Sequence, residues 1–419
     1  MKVCVLGLWH LGAVTAAGLA EVGHQVTGLD FDAATVASLR TGVAPVFEPG
    51  LNELIGRGAA AQRLRFVALL EELGQDMDVL WVTYDTPVDE NDNADTNFVL
   101  AQIERALTAM SADTLLLVSS QLPVGSMRRL EHARVACIPE NLRLGRAVKD
   151  FLQPERIVAG VRSERDRQTV RELLSPITVA IEWMSVEAAE MTKHAINAFL
   201  AASVVFANEI ASLCEAVGAD AKEVERGLKS DSRIGPRAYL APGGAFAGGT
   251  LARDVAYLNE ISREQGLLTP LLSSVLPSNE LHKGWVQRHL RARFGNLAGV
   301  TVAVWGLAYK PNTSTLRRSL AVELCNWMID QGVTVRVQDP MVEDLPQHWA
   351  GVVTRCNDPV SAVQGADALI VATEWPVYKT AAAQLAGMPL VVLDANRFLP
   401  ELDAGTALYL AVGTARAGG

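Results

Sequence analysis

KVCVLGLWHLGAVTAAGLAEVGHQVTGLD, Lys2–Asp30, decides the fold. Lys2–Leu6 is a short apolar run, Gly7 opens the turn GLWHLG, and a helical pattern follows through Ala20. Gln25–Leu29 is a second strand pattern, ending at Asp30. Strand, glycine turn, helix, strand and acid is the dinucleotide-binding order in its proper context. A pyrophosphate would sit at the helix N-terminus, where unbonded N–H groups and the helix dipole favour anions. Asp30 would take the ribose hydroxyls and prefer NAD to NADP. The candidate cofactor positions are therefore Gly7, Trp9, His10, Leu11, Gly12 and Asp30. Trp9 stands where a second glycine normally lets the backbone approach the pyrophosphate. That leaves open a βα unit that binds nothing, but Gly7, Gly12 and Asp30 keep their places and favour the dinucleotide.

Working outward, further strands are expected at Met77–Thr83, Thr114–Ser119, Arg134–Ile138 and Ile157–Val161. Helical patterns between them predict a doubly wound parallel sheet. The polar loop Tyr84–Asn97 follows a strand end, where such sheets bind ligands, although acids in such a loop are more often simply solvated.

Glu187–Val217 reads as one long helix, uninterrupted by Gly or Pro and stopped by Gly218. Met191, Ala195, Ala198, Phe199, Ala202, Val205 and Phe206 recur at helical spacing. Lys193 and Asn197, four residues apart, share a face. They read either as two solvated polar residues or as an amine and an amide turned into a cleft.

Lys222–Leu228 is a further helical pattern. Asp231–Asp254, DSRIGPRAYLAPGGAFAGGTLARD, is Gly-rich and carries Arg233, Arg237 and Arg253. It reads as a loop moulded around an anion rather than a flexible linker, because linkers rarely carry Ile234, Tyr239, Leu240 and Phe246. A helical stretch is expected from Val255 to about Phe294. A second α/β half then begins with strand Val300–Trp305 and Gly306, followed by a helix from Leu320 and strands Val333–Val337, Ala368–Ala372 and Leu390–Leu393. Its turn, LAYKPNTSTLRRS, lacks the three-glycine fingerprint.

The 419-residue chain is too long for one ordinary core, and 49% hydrophobic with 20% charged residues is a globular composition. A net charge of −10 argues against non-specific nucleic-acid binding but allows a phosphorylated small molecule. No run of about 18 uncharged apolar residues predicts a membrane span. The N-terminus runs straight into a strand pattern rather than a signal peptide. Cys4, Cys137, Cys214, Cys325 and Cys356 are scattered, which suits cytoplasmic thiols and gives no metal signal.

The words FEPGL (Phe47–Leu51), TP (Thr86-Pro87), LPVGS (Leu122–Ser126), PENLR (Pro139–Arg143) and AVKDFLQPERIVAG (Ala147–Gly160) occur in order. KHAINAFLA (Lys193–Ala201), DSRIGPR (Asp231–Arg237), GLAYKPNT (Gly306–Thr313) and ATEW (Ala372–Trp375) follow. Through them nearly the whole chain resembles the UDP-glucose/GDP-mannose dehydrogenase family. The resemblance implies an α/β architecture of two Rossmann-like doubly wound domains joined by a long central helix. Its parts are an NAD-binding domain (1–185), a central helical dimerisation and active-site domain (186–295) and a nucleotide-sugar-binding α/β domain (296–419). It implies a homodimer acting on a nucleotide-linked sugar, with no nucleic-acid or membrane partner. Family enzymes oxidise a primary alcohol to a carboxylate in two hydride transfers to NAD.

The first transfer needs a base, and the second needs a nucleophile, which the family supplies as a cysteine in a GGxC-type loop. Here Gly248-Gly249 leads to Thr250, and Cys137 reads as core. Glu140 matches the glutamate that handles water, while the next family glutamate is Leu144 and the threonine of the STxPxG word is Gln121. Lys193, Asn197 and Asp254 match the groups that hold the sugar oxygen and manage its proton. The resemblance adds Thr86 and Ser120 to the cofactor positions. On the substrate side it points to Arg233, Tyr239, Gly243, Phe246, Gly248, Lys310 and Arg317, although both acids of the TDDxRxS word are replaced, by Ser314 and Thr315. The surviving alcohol-oxidation set and the lost nucleophile predict a single alcohol–carbonyl hydride transfer, or an oxidation ending in epimerisation. The alternatives are a non-catalytic nucleotide-sugar binder, motivated by Trp9 and Thr250, and an ordinary two-step dehydrogenase making a uronic acid.

Overall fold

A computed structural model describes residues 1–74, 76–87, 95–404 and 408–414. Residues 88–94, the acidic part of the loop expected over Tyr84–Asn97, lie outside them. The chain divides into two compact units, Met1–Ile196 and Asn197–Gly419.

The first unit runs β1 (Lys2–Leu6), α1 (His10–Glu21), β2 (Gln25–Leu29), α2 (Ala33–Arg40), α3 (Leu51–Ala60), β3 (Leu64–Val67), β4 (Val79–Val82) and α4 (Thr96–Leu107). It continues with β5 (Leu115–Val118), β6 (Val135–Cys137), α5 (Ala147–Leu152), β7 (Ile157–Val161), α6 (Glu164–Leu174), β8 (Ile181–Met184) and the start of α7 (Val186–Val217). The sheet order is β3-β2-β1-β4-β5-β6-β7-β8. β4 and β5 are buried on both faces, which is why VLWV and LLLV carry no alternation. The expected all-parallel sheet is broken at one place, because β6 and β7 pair antiparallel through Ala136–Val161 and Cys137–Gly160. α1 is apolar all round because it is sandwiched, with Leu11 to Ala20 all buried. Gly18 is required there, since a Cβ would meet the Phe151 ring at 2.4 Å.

In the second unit α7 continues into α8 (Ala221–Ser230), α9 (Thr250–Glu264), α10 (Pro270–Lys283) and α11 (Trp285–Phe294). The stretch expected from Val255 is thus three helices, parted at the Thr269-Pro270 start of α10 and at Gly284. Then come β9 (Thr301–Trp305), α12 (Leu320–Asp330), β10 (Thr334–Gln338), β11 (Val353–Arg355), α13 (Pro359–Val363), β12 (Ala368–Val371), α14 (Pro376–Ala382), β13 (Val391–Leu393) and β14 (Leu408–Leu410). All neighbours in the order β11-β10-β9-β12-β13-β14 pair parallel.

α7 is long and apolar enough to cross a membrane by length and composition alone. Its buried polar residues are nonetheless satisfied by protein groups. Glu190 accepts from Gly125 N and Met127 N, His194 bonds Leu122 O, and Asn208 accepts from Gly243 N. The helix is not buried all round, however. Phe199 is 69% and Leu213 61% exposed, so the apolar spacing marks two faces and not only a core face.

Candidate functional site

In the first unit β1 lies between β2 and β4, so the strand order reverses at its carboxyl end, where open α/β sheets bind ligands. Gly7 has φ +90°, and a Cβ on Gly12 would lie 1.8 Å from Gly7 O. Only glycines fit at these two positions. Trp9 differs: as N-cap of α1 it has φ −69°, open to any residue, and its side chain is 50% exposed. The turn therefore tolerates Trp9 without backbone strain, and the α1 N-terminus keeps its unbonded N–H groups for an anion. Asp30 is buried and accepts from Leu8 N at 2.7 Å and Asp32 N at 3.0 Å, which ties it to the glycine turn. His10 Nε2 lies 2.9 Å from Glu48 Oε2, and Leu11 is core. Thr86 Oγ1 donates to Gln121 O, and Ser120 Oγ is buried without a hydrogen-bond partner among the described residues. An unsatisfied buried hydroxyl near a strand end is what a bound dinucleotide would complete, so these residues fit NAD.

The second unit repeats β–turn–α–β around β9, and Asp339 is the counterpart of Asp30. It is spent. Its two oxygens accept from five N–H groups, those of Leu307, Ala308, Met341, Val342 and the Trp375 indole, at 2.7 to 3.2 Å. Little acceptor capacity is left there for ribose hydroxyls.

Glu140 and Asn141 follow β6. Lys193 Nζ is 3.4 Å from Asn141 Oδ1 and 4.0 Å from Glu140 Oε2. Burial pushes the Glu140 carboxyl above its ordinary value, against the lowering pull of the Lys193 charge. Cys137 is buried and its thiol is raised by desolvation, as expected for core and not for a nucleophile.

Thr250 is the exposed first residue of α9, after Gly249 with φ +105°. Four residues on, Asp254 is fully buried and accepts from Asn197 Nδ2. The glycine loop before Thr250 is held by side chains that spacing could not reveal. Asn208 Oδ1 accepts from Gly243 N at 3.0 Å and Asn396 Oδ1 from Gly244 N at 2.7 Å. His282 Nε2 donates to Gly243 O at 2.8 Å. Asn279 clamps Phe246 at both ends, accepting from its N–H at 3.0 Å and donating to its carbonyl at 2.8 Å. Tyr309 Oη reaches Gly248 O at 3.5 Å, and the Arg318 guanidinium lies 3.3 Å from where a Gly249 Cβ would be.

A cavity of about 500 Å³ opens at the carboxyl ends of β12 and β13, lined in part by Phe246, His282, Tyr309, Lys310, Thr373 and Asn396. Of the expected substrate residues, Phe246 and Lys310 line it. Arg233 is instead held bidentately by Asp231, at 3.0 and 2.7 Å, on the surface. Tyr239 is 58% exposed, and Arg317 is exposed.

Residues 1–178 match the NAD-binding domain of the UDP-glucose/GDP-mannose dehydrogenase family, 187–281 its central domain and 303–401 its UDP-binding domain. The chain belongs to that family. A UDP-glucose 6-dehydrogenase of Pseudomonas aeruginosa is 34% identical over 100% of this chain and 98% of its own length. A solved UDP-glucose dehydrogenase from Pyrobaculum islandicum superposes with a TM-score of 0.86 at 31% identity, covering 99% of this chain and 98% of that one. The UDP-D-ManNAc dehydrogenase of Pyrococcus horikoshii shares the fold, with a TM-score of 0.84 at 23% identity and 99% of each chain covered. The protein is thus an NAD-dependent oxidoreductase acting on an alcohol carbon of a nucleotide-linked sugar.

Proposed function

We propose that this dehydrogenase oxidises the sugar only as far as the carbonyl, by one hydride transfer to NAD, and either releases the carbonyl or returns the hydride from NADH to leave an epimer. The carrying observation is Thr250 at the first turn of α9, in the place of a thiol. A threonine alkoxide is scarcely populated near neutral pH without a dedicated base, so no acyl-enzyme forms and oxidation stops at the carbonyl. Other thiols offer no substitute: Cys214 is buried, and burial raises Cys4 and Cys325 to about 12 and raises Cys137 and Cys356 as well.

When bound, NAD supplies the hydride acceptor. In this reading Lys193 manages the hydroxyl proton. Asn197, its amide held by Asp254, orients the sugar oxygen. Thr250 shapes the pocket. Phe246 and Lys310 sit where the nucleotide would bind, Lys310 as a cation for diphosphate. Gly7, Gly12, Asp30, Thr86 and Ser120 hold the cofactor.

The two-step reading, ending in a uronic acid, has one observation in its favour. Glu140, the water-handling position, keeps a raised carboxyl beside Lys193. Purified protein with excess NAD and a panel of UDP- and GDP-sugars separates the two. One NADH per sugar with a product lighter by two hydrogens supports release of the carbonyl, and no net NADH with an isomer of unchanged mass supports epimerisation. Two NADH and a uronic acid would exclude both.

We further infer a homodimer built on α7. Phe199, Phe206 and Leu213, seven residues apart, stand 69%, 46% and 61% exposed, with Val217 at 77%. Such a stripe on one helical face fits a second copy. Sedimentation of a Phe199→Glu variant as monomer is the expected result. Reduced Cys4, Cys137, Cys214 and Cys325, all buried and free, suit a cytoplasmic enzyme.

A further inference from the structure

We propose that His10 and Glu48 form a positioning link that couples the cofactor crevice to the Glu140–Asn141 turn. Neither residue touches the reacting atoms in this proposal. It rests on NAD occupying the crevice over Gly7–Gly12.

Glu48 sits just before α3 and is 4% exposed. A buried carboxylate is costly unless its oxygens are bonded. Here Oε2 meets His10 Nε2 at 2.9 Å and accepts from Gly145 N at 2.8 Å, while Oε1 accepts from Ala147 N at 2.8 Å. One side chain thereby joins the first residue of α1 to the start of α5. These partners lie 38, 97 and 99 residues away in sequence, so Glu48 is a hub of the folded unit and not a local cap.

His10 belongs to the cofactor side. Its backbone N–H is among the unbonded donors at the α1 N-terminus, where an anion would sit, and its ring turns to Glu48. Gly145 and Ala147 belong to the chemical side. They end the turn that begins at Pro139 and carries Glu140 and Asn141. Among the described residues that turn is also held by Lys193, 3.4 Å from Asn141 Oδ1 and 4.0 Å from Glu140 Oε2, and by Asp150, which receives Arg143 at 3.0 Å and Arg146 at 3.4 Å. Glu48 is therefore its bonded connection to the glycine turn. His10, Lys193 and Asp85 all lie near enough to the Glu140 carboxyl to bear on it, so the two ends are close. Movement of the α1 N-terminus onto a diphosphate would be carried through a rigid, desolvated carboxylate to the Glu140 turn.

Hydrogen–deuterium exchange of the full-length protein, with and without saturating NAD, reads the link directly. In the wild type NAD slows exchange over residues 139–147. In His10→Gln, whose amide still donates to Glu48, the slowing persists and the NAD Kd rises less than in His10→Phe. In His10→Phe the slowing disappears, the NAD Kd rises about tenfold, the loss expected for one unmade bond to a buried carboxylate, and kcat falls while KM for the nucleotide sugar holds. Should His10→Phe not fold, His10→Ala carries the same comparison. Persistent slowing in the Phe or Ala variant, or equal damage from Gln and Phe, overturns the proposal. Wild type that binds NAD with no change at 139–147 overturns the link alone, whereas no NAD binding overturns the cofactor reading with it.

Discussion

Gly12→Ala is the sharpest test of the cofactor crevice. The added Cβ would stand 1.8 Å from Gly7 O and 2.7 Å from Thr83 Oγ1. An ordinary carbon–oxygen contact is about 3.3 Å, so the first turn of α1 and the Gly7 carbonyl must separate by roughly 1.5 Å. The carbonyl cannot swing aside, because Thr83 Oγ1 donates to it at 2.8 Å and Gly7 itself backs onto Tyr84. Overpacking of this kind costs about 1–3 kcal/mol of stability. The same displacement moves the α1 N–H groups off the pyrophosphate, which predicts at least a tenfold rise in NAD Kd. Calorimetric titration with NAD and a thermal melt measure both. Gly18→Ala is the control: its Cβ would meet the Phe151 ring at 2.4 Å, so it lowers the melting temperature but leaves the NAD Kd unchanged. Gly12→Ala protein that binds NAD within twofold of wild type would falsify the placement of the cofactor.

Three further outcomes are expected. Thr250→Cys places a thiol at the α9 N-terminus, where helix N–H groups stabilise a thiolate, and a second NADH per sugar should appear in the stoichiometry assay. Asn279→Ala strips both partners from the Phe246 backbone, costing about 2–4 kcal/mol in a chemical melt and raising KM for the nucleotide sugar. Glu140 has its folded proton affinity raised by burial, so ionising it destabilises the fold as pH climbs from its ordinary 4.5 through the higher folded value. Glu140→Gln should melt above wild type at pH 7, with the gap closing as pH falls towards 4.5; a gap that widens on acidification would reverse the assigned sign.

The sequence carried the β1–α1–β2 unit because one continuous stretch holds all its determinants. It did not carry β3, β8, β11 or β14. Leu64–Val67 includes an exposed Arg65, and Ile181–Met184 includes Glu182, because an edge strand buries less of itself than a central one. Nor could the antiparallel β7 be foreseen, since IVAGV reads alike in either direction. Lys193, Asn197, Asp254 and Thr250 became candidates through family words, with no local pattern singling out their roles. The loop-holding Asn208, Asn279, His282 and Asn396 did not become candidates. They reach residues 243–246 from 33 to 152 positions away, and no local period encodes that.

The five-donor environment of Asp339 has a consequence for redesign. The two halves share a chain trace but differ in how many hydrogen-bond acceptors remain uncommitted at one carboxylate. Grafting a glycine-rich turn after β9 would not by itself create a second cofactor cradle. The Trp375 indole and the Met341–Val342 backbone would first have to be unhooked, and those contacts hold the C-terminal sheet's own turn together. Committing this carboxylate to its own turn thus trades a cofactor's acceptor for local structure.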